Sequence, residues 1–446
     1  MLPPCRILVS DSPGERRAAV LDGAERVVAV FHARTGDAEV GSLHLGRVTG
    51  RLPDGRAAFV DIGGDGPPGF LNATDVRGGL PAEGAAVIVQ VTAEARREKG
   101  PRLTAKLSFT DSVLAYTPHR PGVSVSSKLP ADLRDILRIA LSALLDPGEG
   151  AVVRTGATGP ELPASLDAHR AAWKAAQAAA ETGRPPLRLS PPADGLADAL
   201  ALCPDPEEIV FDHAPALTAA RRAHAALAGR MRAEGRDLFA QEGVDEAIEQ
   251  ALQPVVPLPC GGRLVIEPTA ALVAVDVDAG PAAPAVANTE AMAELVRQLD
   301  LRGLAGMIVC DVVPDQADRS RRGLLEDLRL RLAGTAVPTH IAGVSRLGLV
   351  ELRRDRGRAP LAERLGDGSG RLSDASLALA ALRRAVWQAA AEPGGGPLVL
   401  TLAPAVAEAA RPFLAEAEAR LHRPVVLDPR PDCPRKRVEI ASSHRS

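Results

Sequence analysis

The chain has 446 residues, of which 46% are apolar, and a formal net charge of −3. This length predicts about two to four domains, each large enough for a core of its own. The near-neutral charge gives no support to a polyanion-binding surface over the whole molecule, and no apolar run is long enough to span a bilayer.

The N-terminal residues and the cysteines predict the compartment. The run MLPPCRILVSDSPGERR has no basic region followed by an apolar stretch, so we expect no signal peptide and a cytoplasmic protein. The cysteines are scattered and never spaced as CxxC, which argues against a disulfide framework and against a zinc site within one chain. They are Cys5, Cys203, Cys260, Cys310 and Cys433.

The first part of the chain is rich in short strand-like runs. RILVS, RRAAVLDG and RVVAVFHAR, all within the first forty residues, predict an open β or α/β element. From Gly41 to about Phe109, short strands alternate with turn signals and predict a five-stranded barrel. Its strand-like runs are GSLHLGRVTGRL, GRAAFVDIG, PPGFLNATDV, AAVIVQVTAE and RLTAKLSF.

The middle and the end of the chain mix helices with strands. Residues 130–185 carry helical periodicity around the strand-like run GAVVRTG, and EEIVFDHA predicts a further strand after a proline-rich gap. Helical segments are expected over about 214–251. From about 365 the sequence predicts a helix, a glycine-rich hinge, and a strand–helix–strand–strand unit that ends at RVEIA.

Two aspartates follow strand-like runs in one part of the chain. Asp276 and Asp311 end the apolar runs in ALVAVDVDAG and GMIVCDVV. The segment between them has a helical pattern, with Asn288 as a candidate N-cap and Gly303 as a stop signal. Its apolar positions are Met292, Leu295, Val296 and Leu299. This order predicts a βαβ unit with parallel, neighbouring strands and both carboxylates at one C-terminal sheet edge.

Such a pair of carboxylates predicts a metal site. Like charges a few Å apart repel each other, and a divalent cation relieves that repulsion. Mg²⁺ is often bound by one or two carboxylates together with waters and phosphate oxygens. We therefore expect Mg²⁺ at Asp276 and Asp311, and phosphoryl chemistry on a nucleic acid. The alternative is that each aspartate is a turn or cap residue, which is the commoner role after a strand.

Motifs along nearly the whole chain resemble one known family. In chain order they are AAFVDIG (57–63), GFL (69–71), KGPRLT (99–104), VVRTG (152–156), DLFAQEGVDEAIEQAL (237–252), VPLPCGGRLVIEPTAALVAVDVDAG (256–280), NTEAMAELVRQLDLRGLAGMIVCDVV (288–313) and GVSRLGLVELRRDR (343–356). Together they resemble the ribonuclease E/G family of bacterial endoribonucleases.

The resemblance implies an α/β multidomain fold. Residues 1–40 would begin an RNase H-like region, an OB-fold RNA-binding barrel would be inserted at 41–109, and the RNase H-like region would continue over 110–213 with a 5′-phosphate sensor. Residues 214–364 would form a DNase I-like α/β catalytic domain, and 365–446 a small α+β C-terminal domain.

The resemblance also implies RNA-binding residues in the barrel. Phe59 and Phe70 match family positions whose rings stack on RNA, a contact worth about 1–3 kcal/mol per base. The alternative is that both rings belong to the core. The hairpin beside them is suited to phosphate contact, or is simply a solvated loop. Its basic residues are Arg96, Arg97, Lys99 and Arg102.

Arg154 and Thr155 end a strand and lead into a glycine-containing turn. A guanidinium offers a planar fork to a phosphate, and the hydroxyl and backbone N–H groups of such a turn add donors. Read alone, the two residues are an ordinary strand end. The resemblance implies that they form a pocket for a monophosphorylated RNA 5′ end.

The chain departs from the family at several points. Asp278 stands where relatives commonly have asparagine, the second basic pair near the sensor is reduced to Lys128, and the connection from Asp276 to Asn288 looks short. Larger members carry a CPxC motif that shares zinc between two subunits. The corresponding run here, ERLGDGSGRLSD, has no cysteine, so a homodimer of this chain would not be bridged by zinc.

Together with the paired carboxylates, the resemblance implies a Mg²⁺-dependent endoribonuclease of RNA processing or decay. It would cleave single-stranded RNA to 5′-phosphate and 3′-hydroxyl ends and prefer 5′-monophosphorylated substrates. Asp276 and Asp311 would bind the ion, and Asp278 would orient the attacking water or a ligand as a third catalytic residue.

The alternative is a regulatory or ribosome-associated RNA-binding protein whose nuclease site has degenerated. The replacements at Asp278 and in the sensor favour it, and the presence of both Asp276 and Asp311 speaks against it. A nucleotide-binding enzyme is disfavoured because the chain has no P-loop and no strand-linked GxGxxG motif.

Overall fold

The computed structural model describes residues 5–442 except 65, 97–98, 112, 128, 192–193, 315–317, 334, 336 and 392–395, and at 318–321 it describes the backbone alone. The chain is a mixed α/β protein that divides into two compact units. The first unit comprises Met1–Thr35, Asp194–Arg356 and Pro360–Ser446, and the second comprises Gly36–Ala193 and Gly357–Ala359. Among the described residues, no helix is both long and apolar enough to cross a membrane.

The strands, in chain order, begin with β1 (Arg6–Ser12), β2 (Glu15–Leu21), β3 (Val27–Arg34), β4 (Leu43–Arg51), β5 (Ala57–Asp61), β6 (Gly69–Asn72), β7 (Ala86–Ala93), β8 (Arg102–Thr104), β9 (Phe109–Thr110), β10 (Leu114–Thr117), β11 (Gly122–Val125) and β12 (Gly150–Val153). They continue with β13 (Leu187–Arg188), β14 (Glu208–Phe211), β15 (Met231–Ala233), β16 (Val255–Pro257), β17 (Arg263–Pro268), β18 (Val273–Asp278), β19 (Gly306–Asp311), β20 (Thr339–Val344), β21 (Val350–Arg354), β22 (Leu398–Leu402), β23 (Val425–Pro429) and β24 (Glu439–Ser442).

The α-helices are α1 (Ala131–Leu144), α2 (Leu162–Thr182), α3 (Leu196–Leu202), α4 (Ala214–Ala223), α5 (Leu238–Gln241), α6 (Val244–Ala251), α7 (Pro284–Leu301), α8 (Asp318–Leu332), α9 (Leu361–Leu365), α10 (Asp374–Ala391), α11 (Pro404–Ala410) and α12 (Leu414–Leu421). Short 3₁₀ segments cover Ala73–Asp75, Ala225–Arg230 and Arg411–Phe413.

The first unit contains a five-stranded sheet in the order β15-β14-β1-β2-β3. β1, β2 and β3 form an antiparallel meander, and β14 runs parallel to β1. Successive residues of β1 face opposite cores, since Ile7 packs with residues of α3 and α4 while Leu8 packs with residues of α5 and α6. Because both faces are covered, these strands read as nearly continuous apolar runs.

The strands predicted in the first forty residues and at EEIVFDHA are confirmed as β1, β2, β3 and β14. The expectation of helices over about 214–251 was wrong at β15, which is a strand that pairs with β14. This sheet therefore extends past residue 213, where the sequence placed the end of the RNase H-like region. Only Met231 of its three residues is buried. A strand this short is too brief to show an alternating pattern in the sequence.

A closed five-stranded barrel in the second unit confirms the barrel prediction and is consistent with an OB-fold. Its strands follow the order β4-β5-β6-β8-β7, and pairing between β4 and β7 closes the ring. The interior is apolar, with Val60, Leu71, Val89 and Leu103 fully or almost fully buried. β13 adds to β4 outside the ring, a pairing that the sequence did not predict.

The second unit also contains a four-stranded sheet in the order β11-β12-β10-β9. The predicted strand between two helical segments is confirmed as β12, which lies between α1 and α2 in the chain. Residues of both helices, including Leu137, Leu141, Leu166 and Trp173, share one apolar core with Val153 of β12.

A six-stranded sheet in the first unit, in the order β16-β17-β18-β19-β21-β20, contains the predicted βαβ unit. β18 and β19 are parallel neighbours connected by α7, and the other pairs are antiparallel. The predicted apolar face of α7 is confirmed, because Met292, Leu295 and Leu299 are fully buried against this sheet.

Gly303 ends α7 as the sequence predicted. Its φ of 62° is in the left-handed region, which glycine adopts without steric cost. The N–H of Leu304 donates to the backbone carbonyl of Leu299 at 3.0 Å, and the N–H of Gly303 donates to the backbone carbonyl of Asp300 at 3.2 Å. These are the two hydrogen bonds of a Schellman motif, which directs the chain from the helix into β19.

The C-terminal part confirms the predicted helix and strand–helix–strand–strand unit. α10 is followed by β22, then α11 and α12, then β23 and β24, and the sheet order is β23-β22-β24. Apolar residues of α10, α11 and β22 form its core.

The cysteines contain one pair that their spacing did not predict. Cys5 and Cys203 form a disulfide with their Cα atoms 6.5 Å apart, and both lie in the core beneath β1 and α3. The two residues are 198 positions apart in the chain, so no local motif could have indicated the pair. Cys260, Cys310 and Cys433 are free thiols.

Candidate active site

Asp276 and Asp311 are direct neighbours on the parallel strands β18 and β19. Neighbouring strands lie about 4.8 Å apart, so the two carboxylates project side by side. Both aspartates are exposed, whereas the residues before them, Val275 and Cys310, face the apolar core beneath the sheet. The alternation of the strands therefore places both carboxylates on the open face of the sheet.

Each carboxylate is available to a ligand. Asp276 and Asp311 form no hydrogen bond and no ion pair with any residue that the structure describes. Within the described part of the chain, no group of three or more His, Cys, Asp or Glu residues could hold a metal ion. The adjacent carboxylates of Asp276 and Asp311 fit Mg²⁺, because this ion keeps several waters or phosphate oxygens as its other ligands.

Cys310 lies beneath the pair and does not belong to the donor set. Burial, reinforced by the negative charges of Asp311 and Asp276, raises the pKa of its thiol to about 12. The thiol therefore stays protonated at neutral pH, and thiolate chemistry at this position is disfavoured.

Asp278 lies on the same face of β18 as Asp276, two residues further along the strand. It is directly opposite Arg263 of β17, and its carboxylate forms an ion pair with that guanidinium at 3.0 Å. Its other oxygen accepts a hydrogen bond from the backbone N–H of Gly280 at 3.0 Å. The ion pair with Arg263 offsets the charge of this third carboxylate. The sequence did not predict this pair, because it depends on the register of β17 and β18.

Asn288 does not cap α7, so the prediction of an N-cap at this position was wrong. The helix begins four residues earlier, at Pro284, because proline is favoured in the first helical turn, where its missing N–H is not needed. Asn288 lies inside the helix and is only 5% exposed. Its amide Nδ2 donates to the carbonyl of Val313 at 2.9 Å, and its Oδ1 accepts from the N–H of Val313 at 2.9 Å.

A cavity of about 350 Å³ opens beside Asp311. The end of β19, the beginning of α7, part of α8 and the turn between β20 and β21 form its walls. Leu347, at the tip of that turn, is 85% exposed, so an apolar side chain faces solvent next to the carboxylates. The cavity contains both polar and apolar walls, as the binding sites of most organic ligands do.

The two barrel rings predicted to bind RNA lie next to each other on neighbouring strands. Phe59 of β5 and Phe70 of β6 are directly opposite each other, with ring centroids 6.0 Å apart at 71°. Phe59 is 36% exposed, so the alternative of a core residue does not hold for this ring. Lys99 is exposed in the hairpin that leads into β8, and the predicted Arg97 lies outside the described residues.

Arg154 and Thr155 directly follow β12 and are both exposed. Arg154 donates from Nη1 to the backbone carbonyl of Asp111. Asp111 in turn accepts from the hydroxyl of Ser165 at 2.6 Å, and its carboxylate lies 3.2 Å from Nε2 of His169. Burial opposes ionisation of Asp111, but these bonds prevail and lower its pKa. The arrangement holds one side of the Arg154 guanidinium in place.

The turn after Thr155 contains an internal anion. The Glu161 carboxylate accepts from the backbone N–H of Thr158, from its hydroxyl at 2.9 Å, and from the N–H of Gly159 at 3.3 Å. Backbone N–H groups of this turn, which were expected to bind an RNA phosphate, therefore already have a partner. Burial alone would raise the pKa of Glu161, but the hydrogen bonds from these donors outweigh it and lower the pKa. The predicted Lys128 lies outside the described residues.

The strands and the paired carboxylates define an α/β protein with a two-carboxylate site at a sheet edge and a separate five-stranded barrel. The sequence profile of the Ribonuclease E/G family matches residues 108–357. The chain is 33% identical to ribonuclease E of Nostoc sp. strain PCC 7120 over 369 residues, which are 75% of this chain and 53% of that protein. The chain belongs to the Ribonuclease E/G family.

Two Escherichia coli K12 proteins are similar as well. Ribonuclease E is 30% identical over 404 residues, covering 82% of this chain and 38% of that protein. Ribonuclease G is 29% identical over 403 residues, covering 79% of this chain and 80% of that protein. The chain therefore spans about half or less of these ribonuclease E proteins and most of the ribonuclease G protein.

A divalent ion should stabilise the protein through the two aspartates. Mg²⁺ at ten times its dissociation constant should add about 1.4 kcal/mol to the free energy of unfolding. Asp276→Asn should remove most of this gain, measured as the Mg²⁺-dependent shift of Tm. Asp205→Asn is the matched control, since its carboxylate is 83% exposed and, within the described part of the chain, pairs with Arg230 alone. Equal shifts in all three proteins would contradict a site at Asp276.

Proposed function

We propose that this protein is a Mg²⁺-dependent endoribonuclease that cleaves single-stranded RNA. The observation that carries the proposal is the register of β18 and β19, which brings the exposed carboxylates of Asp276 and Asp311 side by side. Membership of the Ribonuclease E/G family supports it independently. RNA processing or decay in the cytoplasm is the role that such an activity would serve.

Asp276 and Asp311 would hold the ion between them. When bound, Mg²⁺ would act as a Lewis acid that lowers the pKa of a water ligand and offsets charge on the scissile phosphate. Asp278 would orient the attacking water or a ligand from beside the pair, while Arg263 keeps that carboxylate in place. Attack by water at phosphorus with cleavage of the P–O3′ bond leaves 5′-phosphate and 3′-hydroxyl ends.

The barrel would bind the RNA strand. Phe59 and Phe70 offer two rings to unstacked bases, and stacking tolerates any base because each has a π-face. Lys99 is exposed in the neighbouring hairpin and would contact a phosphate. A base must be unstacked to use such rings, which favours single-stranded over double-stranded RNA.

Arg154 and Thr155 would bind a monophosphorylated 5′ end. The guanidinium is held by the Asp111 carbonyl and keeps further N–H groups for a phosphate. The carboxylate of Glu161 occupies donors of the adjoining turn and carries the same sign of charge as a phosphate. We therefore infer a preference for 5′-monophosphorylated RNA that is modest in size.

The finer domain assignments also belong to this proposal. The order β15-β14-β1-β2-β3, with a meander followed by parallel strands, supports an RNase H-like region interrupted by the barrel. The mixed sheet around β18 would be the DNase I-like catalytic domain, and α10 to β24 the small C-terminal domain. Residues 363–374 contain no cysteine, so a homodimer would form without a zinc bridge.

The second candidate is an RNA-binding regulatory or ribosome-associated protein with a degenerate nuclease site. The ion pair between Asp278 and Arg263 favours it, because a side chain next to the candidate metal site is engaged elsewhere. The two candidates differ in one assay: incubation of labelled single-stranded RNA with Mg²⁺, followed by analysis of the product ends.

Asp311→Asn should lower the cleavage rate by about three orders of magnitude or more, because the neutral amide no longer supplies a charged ligand. The fold should persist, since asparagine keeps the shape of aspartate and Asp311 is exposed. Single-turnover cleavage of labelled RNA measures the rate, with Asp205→Asn as the control. Undiminished cleavage by Asp311→Asn would contradict the assignment of Asp311 to the nuclease site.

Arg154→Ala should abolish the preference for a 5′-monophosphate and leave the cleavage of 5′-hydroxyl RNA nearly unchanged. The variant loses the guanidinium that would contact the phosphate, whereas the carboxylates on β18 and β19 are untouched. The measurement is the ratio of kcat/KM for two RNAs that differ only at the 5′ end. A matched loss on both RNAs would instead make Arg154 a structural residue of the β12 turn.

Asp278→Asn should keep its activity at saturating Mg²⁺ but require about two- to sevenfold more Mg²⁺, since it removes one negative charge roughly 7 Å from the pair. Arg263→Gln should have the opposite effect, because it leaves Asp278 without its cation. The measurement is a Mg²⁺ titration of the cleavage rate. If Asp278→Asn is inactive at every Mg²⁺ concentration, Asp278 is itself a metal ligand.

A further inference from the structure

We propose that Asn288 is a positioning residue of the nuclease site, and that its side-chain amide sets the place of Asp311. The proposal rests on the proposed function, because it assigns a role within the site at Asp276 and Asp311. Asn288 would act through the backbone of Val313, two residues beyond Asp311.

The backbone around Asp311 loses its sheet partner on one side. Pairing between β19 and β21 ends at Cys310 and Val350, whereas pairing with β18 continues to Asp311. Asp311 is thus the last residue of its strand, and the chain beyond it leaves the ladder. The Asn288 amide then provides the N–H donor and the carbonyl acceptor that a neighbouring strand would have provided to Val313.

The chemistry of this contact requires an amide. Asn288 is almost fully buried, and its amide supplies both the acceptor for the Val313 N–H and the donor for the Val313 carbonyl. A carboxylate could accept from the N–H but could not donate to the carbonyl, and alanine would satisfy neither group. The two bonds, each of 2.9 Å, connect the crossover helix α7 to the end of β19.

Release of this contact would alter the site in two ways. Asp311 and Val313 line the cavity at the end of β19, and Asn288 forms part of the same wall. A shift of the backbone at Val313 would therefore displace the Asp311 carboxylate relative to Asp276 and change the shape of the cavity. Displacements of about 1 Å in a catalytic group cost up to about 100-fold in rate.

The test compares Asn288→Ala with Gln298→Ala in the full chain. Gln298 is the matched control because it is a buried amide on the same helix, 3% exposed, whose bonds to Glu294 and Arg302 remain within α7 and its end. Four quantities are measured for each protein: the free energy of unfolding in urea, Mn²⁺ affinity by electron paramagnetic resonance without RNA, and kcat and KM for RNA.

Both variants should lose stability, but only Asn288→Ala should weaken Mn²⁺ binding and lower kcat, by about 10- to 100-fold, with KM for RNA within about twofold. Asn288→Asp, which keeps the acceptor and loses the donor, should also bind and cleave less well than wild type. Amide hydrogen exchange at Val313 should be slow in the wild type and in Gln298→Ala, and faster in Asn288→Ala.

The outcomes separate this proposal from the proposed function. If the wild type binds Mn²⁺ and cleaves RNA, and Asn288→Ala does both equally well, the positioning role is wrong and the nuclease assignment stands. If Asn288→Ala and Gln298→Ala lose Mn²⁺ affinity and kcat to the same extent, Asn288 has only a structural role. A wild type that binds no Mn²⁺ and cleaves no RNA overturns both.

Discussion

The candidate site depends on one constraint, the in-register parallel pairing of β18 and β19 through α7. Parallel neighbours require a crossover connection, and α7 supplies it with an apolar face buried on the sheet and a glycine stop at Gly303. Because side chains alternate along a strand, a shift of one residue in either strand would turn an aspartate from the open face into the core. The apolar core at Val275 and Cys310 therefore fixes where Asp276 and Asp311 lie.

Around this pair, the neighbouring residues limit charge and movement. Arg263 pairs with Asp278, so the charge next to the candidate ion is closer to that of two carboxylates than of three. Asn288 holds the backbone beyond Asp311, where the sheet no longer does. Glu161 plays a comparable part at the turn after Thr155, since its carboxylate accepts hydrogen bonds that a phosphate would otherwise receive. In each case a side chain of the protein makes the contacts that a ligand or a neighbouring strand would otherwise make.

Local patterns were enough to predict most of the longer elements, although not β15. They also predicted the proximity of Asp276 and Asp311, because a βαβ unit places the ends of both strands at one edge. The five barrel strands also follow from short, alternating runs, whereas the opposition of Phe59 and Phe70 depends on the register of β5 and β6. The ion pair of Asp278 with Arg263 and the Cys5–Cys203 disulfide depend on register or on distant segments, which single-sequence patterns do not contain. Asn288 was misassigned because an asparagine near a helix start reads as a cap, and only tertiary structure shows that it contacts Val313.

The central claim is that Asp276 and Asp311 hold one divalent ion between them. The most direct measurement is a crystal structure of the protein with Mn²⁺ in place of Mg²⁺, with the ion located by its anomalous scattering. The account predicts one peak coordinated by an oxygen of Asp276 and an oxygen of Asp311, with Asp278 still paired with Arg263. A peak coordinated by Asp278 without Asp311, or no peak at the pair in crystals of a protein that cleaves RNA, would contradict it.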